Sequence, residues 1–327
     1  MRAFNIAIAL GIAFGASAGP AAAQDAGDYP SKPIRLIVAA AAGGSSDTVG
    51  RIVAEGLGKE LGQRVVVENI AGVGSVAGLT ALSQADPDGY TLGTSNIAAI
   101  GINQHLMDLP YKPLEDIIPV GMAMQTARAL DVRADLPVKT VPELIQYMKD
   151  HPGELNYGSS GIGSQSHMGM ELFLSLTGTE ATHVPYNSSA EVGQAMAAGE
   201  VDVSIDNVTS HAPMVDAGTV RFIATGCTRS DDIAQLKGLP SIQETLPDMM
   251  CMTTWIGIFA PKGVPEPIVQ KLNAALNKYL ASPEGVERIK TASWDPYPMS
   301  PAELHDIWFK EAEIWGKVIK DAGITAK

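Results

Sequence analysis

The sequence predicts an α/β fold arranged as two lobes with a cleft between them, and three observations carry that reading. Short β-branched apolar runs alternate with segments of helical periodicity along most of the chain, the signature of parallel sheets covered by helices. The chain has 327 residues, and about 300 remain after a leader, more than one core usually serves at roughly 150 residues per domain. No Gly/Ser linker and no internal repeat separates two halves. Structured crossings must therefore join them, leaving the inter-lobe cleft where small-molecule sites preferentially lie.

The elements follow in order. Ile34 to Val38 reads as the first strand, and Ala41-Ala-Gly-Gly-Ser-Ser-Asp47 as the turn after it. The following helix places Val49, Ile52, Val53, Leu57 and Leu61 on one face and ends at Gly62, since a left-handed residue after the last turn favours glycine. Further strands are expected at 65–68, 91–95, 155–157, 201–205, 220–224 and 254–259. Three helix starts, Thr140-Val-Pro-Glu143, Ser188-Ser-Ala-Glu191 and Ser300-Pro-Ala-Glu303, read as capping boxes, which accounts for Glu143 and Glu303 without catalysis. The run 120–132 and the strand 220–225 are the expected crossings, giving a discontinuous first lobe, 24–125 and 222–327, and a second lobe, 126–221.

The first residues predict export. Arg2 supplies a positive start, Ile6 to Phe14 an apolar stretch and Ala21-Ala-Ala23 a cleavage site, so residues 1–23 form a signal peptide and the mature chain begins at Gln24. No other segment reaches the roughly 20 apolar residues that span a bilayer, so the mature chain is expected to be periplasmic and not membrane-inserted. A net charge of -13 argues against nucleic acid and anionic membranes as partners. It does not exclude a small anion, because diffuse charge is screened within about 8 Å while each amide aimed at a carboxylate contributes roughly 1.5 to 3 kcal/mol. Cys227 and Cys251 are the only cysteines, and a disulfide and two separate buried thiols are both compatible with their spacing.

Two Gly/Ser turns carry the chemistry. Gly43-Gly-Ser-Ser-Asp47 and Ser159-Ser-Gly-Ile-Gly-Ser-Gln-Ser-His167 each follow a strand and open a helix, and helix N-termini bind anions through outward-facing amides. Together they form a candidate clamp on one carboxylate. Gly72-Val-Gly-Ser-Val-Ala-Gly78 is a poor dinucleotide fingerprint because its third glycine comes one residue late. No Gly-x-Ser-x-Gly elbow occurs after the leader, and His167, which has Ser164 and Asp47 as conceivable partners, reads better as a polar wall or a packing residue than as a catalytic base. No His, Cys, Asp or Glu spacing suggests a metal.

Read in order, these segments resemble the extracytoplasmic solute-binding proteins of tripartite tricarboxylate transporters, the Bug family. The resemblance runs from Tyr29-Pro-Ser-Lys-Pro-Ile-Arg-Leu-Ile-Val through Gly62-Gln-Arg-Val-Val-Val-Glu-Asn69, Asp86-Pro-Asp-Gly-Tyr-Thr-Leu92 and Leu109-Pro-Tyr-Lys-Pro113. It continues in Leu155-Asn-Tyr-Gly-Ser159, Gly163-Ser-Gln-Ser-His167, His183-Val-Pro-Tyr186, Gly199-Glu-Val-Asp-Val203, Trp255-Ile-Gly-Ile-Phe-Ala-Pro261 and Trp315-Gly-Lys-Val-Ile. It implies a two-lobed type II periplasmic binding fold that holds a ligand carboxylate in the two βα loops, with Asp206 matching a position that commonly reads the ligand's far end. The implied ligand set is Ala40, Ala42, Gly43, Gly44, Ser45, Asp47, Ser160, Gly163, Ser164, Gln165, His167 and Asp206. Where the family usually has Pro-Phe-Pro-Pro or a near variant, this chain has Ala39-Ala-Ala-Ala42, which implies a roomier pocket.

The expected function is a monomeric, non-enzymatic receptor that needs no cofactor, closes on a small mono- or dicarboxylate and delivers it to transporter membrane subunits. Two rivals remain open at this point: a sensor subunit presenting the loaded form to a signalling receptor, and an exported hydrolase.

Overall fold

The computed structural model describes residues 27–227 and 233–325; the expected leader and its cleavage site lie outside them. In the first part of the chain, β1 (Ile34–Val38), α1 (Ser45–Leu61), β2 (Val65–Asn69), α2 (Val76–Ser83) and β3 (Thr91–Ser95) alternate as expected. α1 ends at Gly62, whose φ of 64° is the left-handed conformation anticipated for it. Short helices α3 (Asn103–Leu106) and α4 (Pro113–Asp116) lead into β4 (Ile117–Arg133), a strand of 17 residues. Then come α5 (Val141–Asp150), β5 (Asn156–Ser159), α6 (Gln165–Thr177), β6 (Thr182–Pro185), α7 (Ser189–Ala198), β7 (Val203–Asn207), α8 (Val208–Asp216) and β8 (Val220–Thr225). The chain closes with β9 (Thr253–Pro261), α9 (Glu266–Leu280), α10 (Pro283–Thr291), β10 (Asp295–Pro296) and α11 (Pro301–Ala322).

The strands run in the order β2-β1-β3-β9-β4-β7-β5-β6, with β8 and β10 also paired to β4. Within each lobe the strands are parallel, β1 with β2 and β3, β5 with β6 and β7. The joint between lobes departs from the expected parallel pattern. β9 runs antiparallel to both β3 and β4, and β4 runs antiparallel to β7 and β8. β4 is the shared element: its residues 117–127 pair with β9, and Arg128 onward pairs with β7. The run 120–132, expected as a crossing, falls within this strand.

The strand expected as the second crossing, β8, pairs with the far half of β4, from Ala129 to Arg133, the half that also pairs with β7. An apolar run announces a strand but not which sheet it joins, because both sheets bury the same residue types. The capping boxes need a similar refinement. At Ser300 the box is reciprocal, but the carboxylates of Glu143 and Glu191 accept from the amides of Lys139 and Asn187, one residue before their caps. Thr140 and Ser188 still accept from Glu143 and Glu191.

Two larger cores hold the layers. In the first lobe α1 and α9 approach so closely that a Cβ on Gly56 would lie 2.1 Å from the Tyr279 ring, so only glycine fits. The other core runs under α2, α5, α6 and α11 and contains the fully buried Trp255, Trp308 and Trp315. Each such ring removes about 150–250 Å² from water, roughly 4–6 kcal/mol of gross burial at 25 cal/mol/Å². A disulfide joins Cys227 to Cys251 across a Cα separation of 4.5 Å, resolving the alternative left open by the sequence and tying the segment after β8 to the segment before β9.

Candidate functional site

The strands β4 and β9 present opposite faces to two different spaces, because side chains alternate along a strand and residues directly opposite share a face. Thr126 pairs with Thr254, and Gln125 with Trp255. On the Thr126 and Thr254 side lies a cavity of about 350 Å³ between the lobes. Ser45 and Ser46, at the start of α1, line one wall together with Asn96; Asn207, Thr209 and Ser210, at the start of α8, line the other. Ile256, Ala292, Ser293 and Trp294 complete it. None of these side chains carries a charge, in a protein of net charge -13.

Both helix starts are electrostatically open. Gly44 and Asn207 occupy the N-cap positions of α1 and α8, and neither provides a side-chain cap. The first-turn amides that a helix leaves unpaired, with the positive end of its dipole, therefore remain for a ligand. By contrast, α6 has its cap filled: Ser164 accepts from the His167 amide at 3.2 Å. The cavity thus combines two uncapped helix N-termini from opposite lobes with neutral hydroxyl and amide side chains, a donor set for an anion.

The first expected loop reaches the cavity through Ser45, while its other candidates build the loop itself. Asp47 is 4% exposed and accepts from the Gly43 amide at 2.9 Å, Arg51 Nε at 3.0 Å and Asn69 Nδ2 at 2.9 Å. These bonds, led by Arg51, hold its pKa down to about 2. The Gly43 amide, in a residue with φ of 86°, is thereby engaged by protein. Gly44 supplies the α1 cap, its carbonyl accepting from Thr48 at 3.0 Å. Ala40 and Ala42 lie outside the cavity lining: the Ala40 carbonyl accepts from Asn69 at 3.3 Å, and Ala42 is exposed. Ala39 instead lines a small recess of about 10 Å³ with Ser46, Thr94 and Ser95, and the Ser95 hydroxyl is buried without a partner among the described residues.

The second expected loop is absent from the walls of that cavity and is bonded to itself. The Ser160 amide donates to Ser166 Oγ at 2.9 Å, and the Ser160 and Ser164 hydroxyls sit 3.0 and 3.1 Å from the same atom. The Gly163 amide donates to His167 Nδ1 at 3.1 Å. That bond requires a neutral imidazole, and burial together with the neighbouring His183 pushes the His167 pKa down to about 4. The two imidazoles stack with centroids 4.0 Å apart, and His183 contacts Ser159 Oγ at 2.6 Å. Gln165 crosses to the joint, donating to the Thr253 carbonyl at 2.9 Å.

Asp206 lies beneath the α8 wall, 1% exposed. Its Oδ1 accepts from Arg128 Nη1 at 3.3 Å, Ser189 Oγ at 2.7 Å and the Asn207 amide at 2.7 Å, while Oδ2 is buried without a partner among the described residues. Behind it His211 pairs with Asp131, which also accepts from Ser204. Burial alone would lower the His211 pKa, but the Asp131 and Asp206 carboxylates raise it to about 9. α8 is thus pinned to β4 through His211 and Asp131, with its N-terminus presented to the cavity.

Sequence reasoning missed Asn96, Thr126, Asn207, Thr209, Ser210 and Thr254. The β7 to α8 turn follows the same strand-to-helix logic as the two glycine loops but contains no glycine, so only the polar run Asn207-Val-Thr-Ser210 marks it. Among the described residues no group of three or more His, Cys, Asp or Glu side chains is placed to hold a metal ion, and no helix is long and apolar enough to cross a membrane.

Comparison with known proteins agrees with this architecture. The family described as "Tripartite tricarboxylate transporter family receptor" matches residues 49–324. Protein BugT of Bordetella pertussis is 32% identical over 316 residues, covering 96% of this chain and 96% of BugT. Among solved structures, R. palustris Rpa4515 with adipate is 32% identical, with a TM-score of 0.73 over 91% of this chain and 99% of that one. MatC from Rhodopseudomonas palustris with bound malate is 29% identical, with a TM-score of 0.70 over 89% and 100% of the two chains. The chain therefore belongs to the tripartite tricarboxylate transporter receptors, a family of two-lobed periplasmic solute-binding proteins and not of enzymes.

Proposed function

We propose that this protein is an exported receptor that closes its lobes on a small carboxylate and delivers it to the membrane subunits of a tripartite transporter. The observation that carries the reading is the uncharged inter-lobe cavity walled by the uncapped starts of α1 and α8. One or two charge-assisted bonds from each wall, at roughly 1.5 to 3 kcal/mol apiece, total about 3 to 12 kcal/mol, a range that includes the roughly 8 kcal/mol of micromolar binding. Relatives solved with adipate and malate support a carboxylate as the ligand class. A space of about 350 Å³ accommodates molecules of that size with room for water.

In this reading the lobes are 24–127 with 253–327, and 128–252, hinged where β4 changes partner and where β9 begins. Closure brings the α8 wall toward the α1 wall, expels water and strengthens the bonds to the anion. The loop Ser159–His167 then acts mainly as a rigid support, with any ligand contact left to its Ser160 and Ser164 hydroxyls. The test is a thermal-shift screen of the mature protein against aliphatic and aromatic carboxylates and their neutral amides. A true ligand stabilises by about 2.7 kcal/mol at a hundredfold excess over Kd. Equal stabilisation by the neutral amides contradicts the anion site.

A further inference from the structure

The opposite face of the joint strands carries a second space that the carboxylate cleft does not use. A partly open cavity of about 410 Å³ lies between β4, β9, α11 and the segment 247–251. Its floor is apolar and soft: Trp255 and Met122 are each 1% exposed and Met249 is 2% exposed. Into this floor α11 directs Glu311, and the Trp255 indole N–H reaches both carboxyl oxygens at 3.3 Å. No described cation pairs with it. β4 and β9 contribute no charged side chain to the cavity, and the other charged groups there are the exposed Asp248 and Lys310.

We propose that this cavity is a second ligand site, for a small organic cation with an apolar body whose ammonium rests on Glu311. The sign of the charge follows from the floor. A cation meets the Glu311 carboxyl, which gains a counter-charge, beside the Trp255 and Tyr297 rings and the polarisable methionine side chains that line the cavity. An anion would hold the Glu311 carboxyl in its protonated form and find only the exposed Lys310 in return. Burial pushes the Glu311 pKa up to about 8, against the lowering effect of the Trp255 bond, so at neutral pH the empty site holds a largely protonated carboxyl, and an ammonium that binds there supplies the missing counter-charge and releases that proton. The volume lies within the usual range of ligand pockets, about 300–1,000 Å³. The site is also held in shape, since Cys251, which lines it, is fixed by the disulfide to Cys227.

Three probes of one shape test the proposal by calorimetry on the mature protein: 2-phenylethylamine, 2-phenylethanol and phenylacetate. The amine should bind at least about tenfold more tightly than the alcohol, and Glu311→Gln should weaken the amine by about tenfold or more, equivalent to roughly 1.4 kcal/mol. Asn207→Asp, in the carboxylate cleft, should leave amine binding unchanged, which separates this site from the proposed function. Methionine methyl NMR on the wild-type protein needs no variant. The amine should move the Met122, Met249 and Met250 signals, and that result stands even if Glu311→Gln fails to fold. No amine binding, equal affinity for amine and alcohol, undiminished binding by Glu311→Gln, or methyl shifts confined to other methionines would each overturn the proposal.

Discussion

Arg128 and Asp206 form an ion pair at 3.3 Å, both nearly excluded from solvent, at the point where β4 passes from the β9 side of the joint to the β7 side. The guanidinium also donates to Thr254 Oγ1 at 2.9 Å and to the Ile205 carbonyl at 3.1 Å. One arginine thus fastens β4 to a strand of each lobe. Removing one partner of a buried pair leaves an uncompensated charge and typically costs about 3–5 kcal/mol. Arg128→Met should therefore lower unfolding stability by that amount in urea titrations. A loss below about 1 kcal/mol would show that the pair does not anchor the joint.

Asp47 should behave as scaffold. Its carboxylate gathers the Gly43 amide, Arg51 and Asn69, so Asp47→Ala is expected to cost about 1–3 kcal/mol of stability. Its folded pKa of about 2 lies below the unfolded value near 3.9. The contribution is therefore present above about pH 4 and disappears as pH falls toward 2. Urea unfolding of wild type and variant at pH 6 and near pH 2.5 checks this: the two should differ at pH 6 and converge in acid.

His211 gives the opposite dependence. Its folded pKa is raised to about 9, mainly by the Asp131 carboxylate acting against burial, above an unfolded value near 6.5. Its stabilisation is complete below about pH 6.5 and is lost as pH rises through about 9. The midpoint of thermal unfolding should fall over that window, and His211→Gln should be less stable at pH 6 by a few kcal/mol and flatter between pH 6.5 and 9. Parallel profiles for the two proteins would show that the pair does not hold the proton.

Much of the scaffold is legible in the sequence. α1 can be read residue by residue, because its apolar positions recur at helical spacing and Gly62 supplies the stop. β10, two residues long, and the π-helical turn 98–102 are not legible, since neither is long enough to show a period. The place of β8 in the sheet depends on pairing with β4, more than 85 residues earlier in the chain, which local pattern does not encode. At the site, Ser45 follows from the glycine turn before α1. Thr126 and Thr254 are hidden inside runs that read only as buried strands, and face the cavity through a register that exists only after pairing. Gly43 and Gly163 show why a glycine turn is an incomplete signal. Both amides point where expected of a tight loop, yet Asp47 and His167 take them first.

The central claim is that the starts of α1 and α8 hold an anion between the lobes, and Asn207→Asp tests it most directly. The change is nearly isosteric, and an aspartate is an equally good N-cap that complements the helix dipole, so the fold should be retained or slightly stabilised. It places a negative charge in a cavity whose lining otherwise has none. Titration calorimetry with the best carboxylate from the screen should show at least about a hundredfold loss of affinity, roughly 2.7 kcal/mol, at unchanged circular dichroism. Wild-type affinity in the folded Asn207→Asp protein would contradict the account.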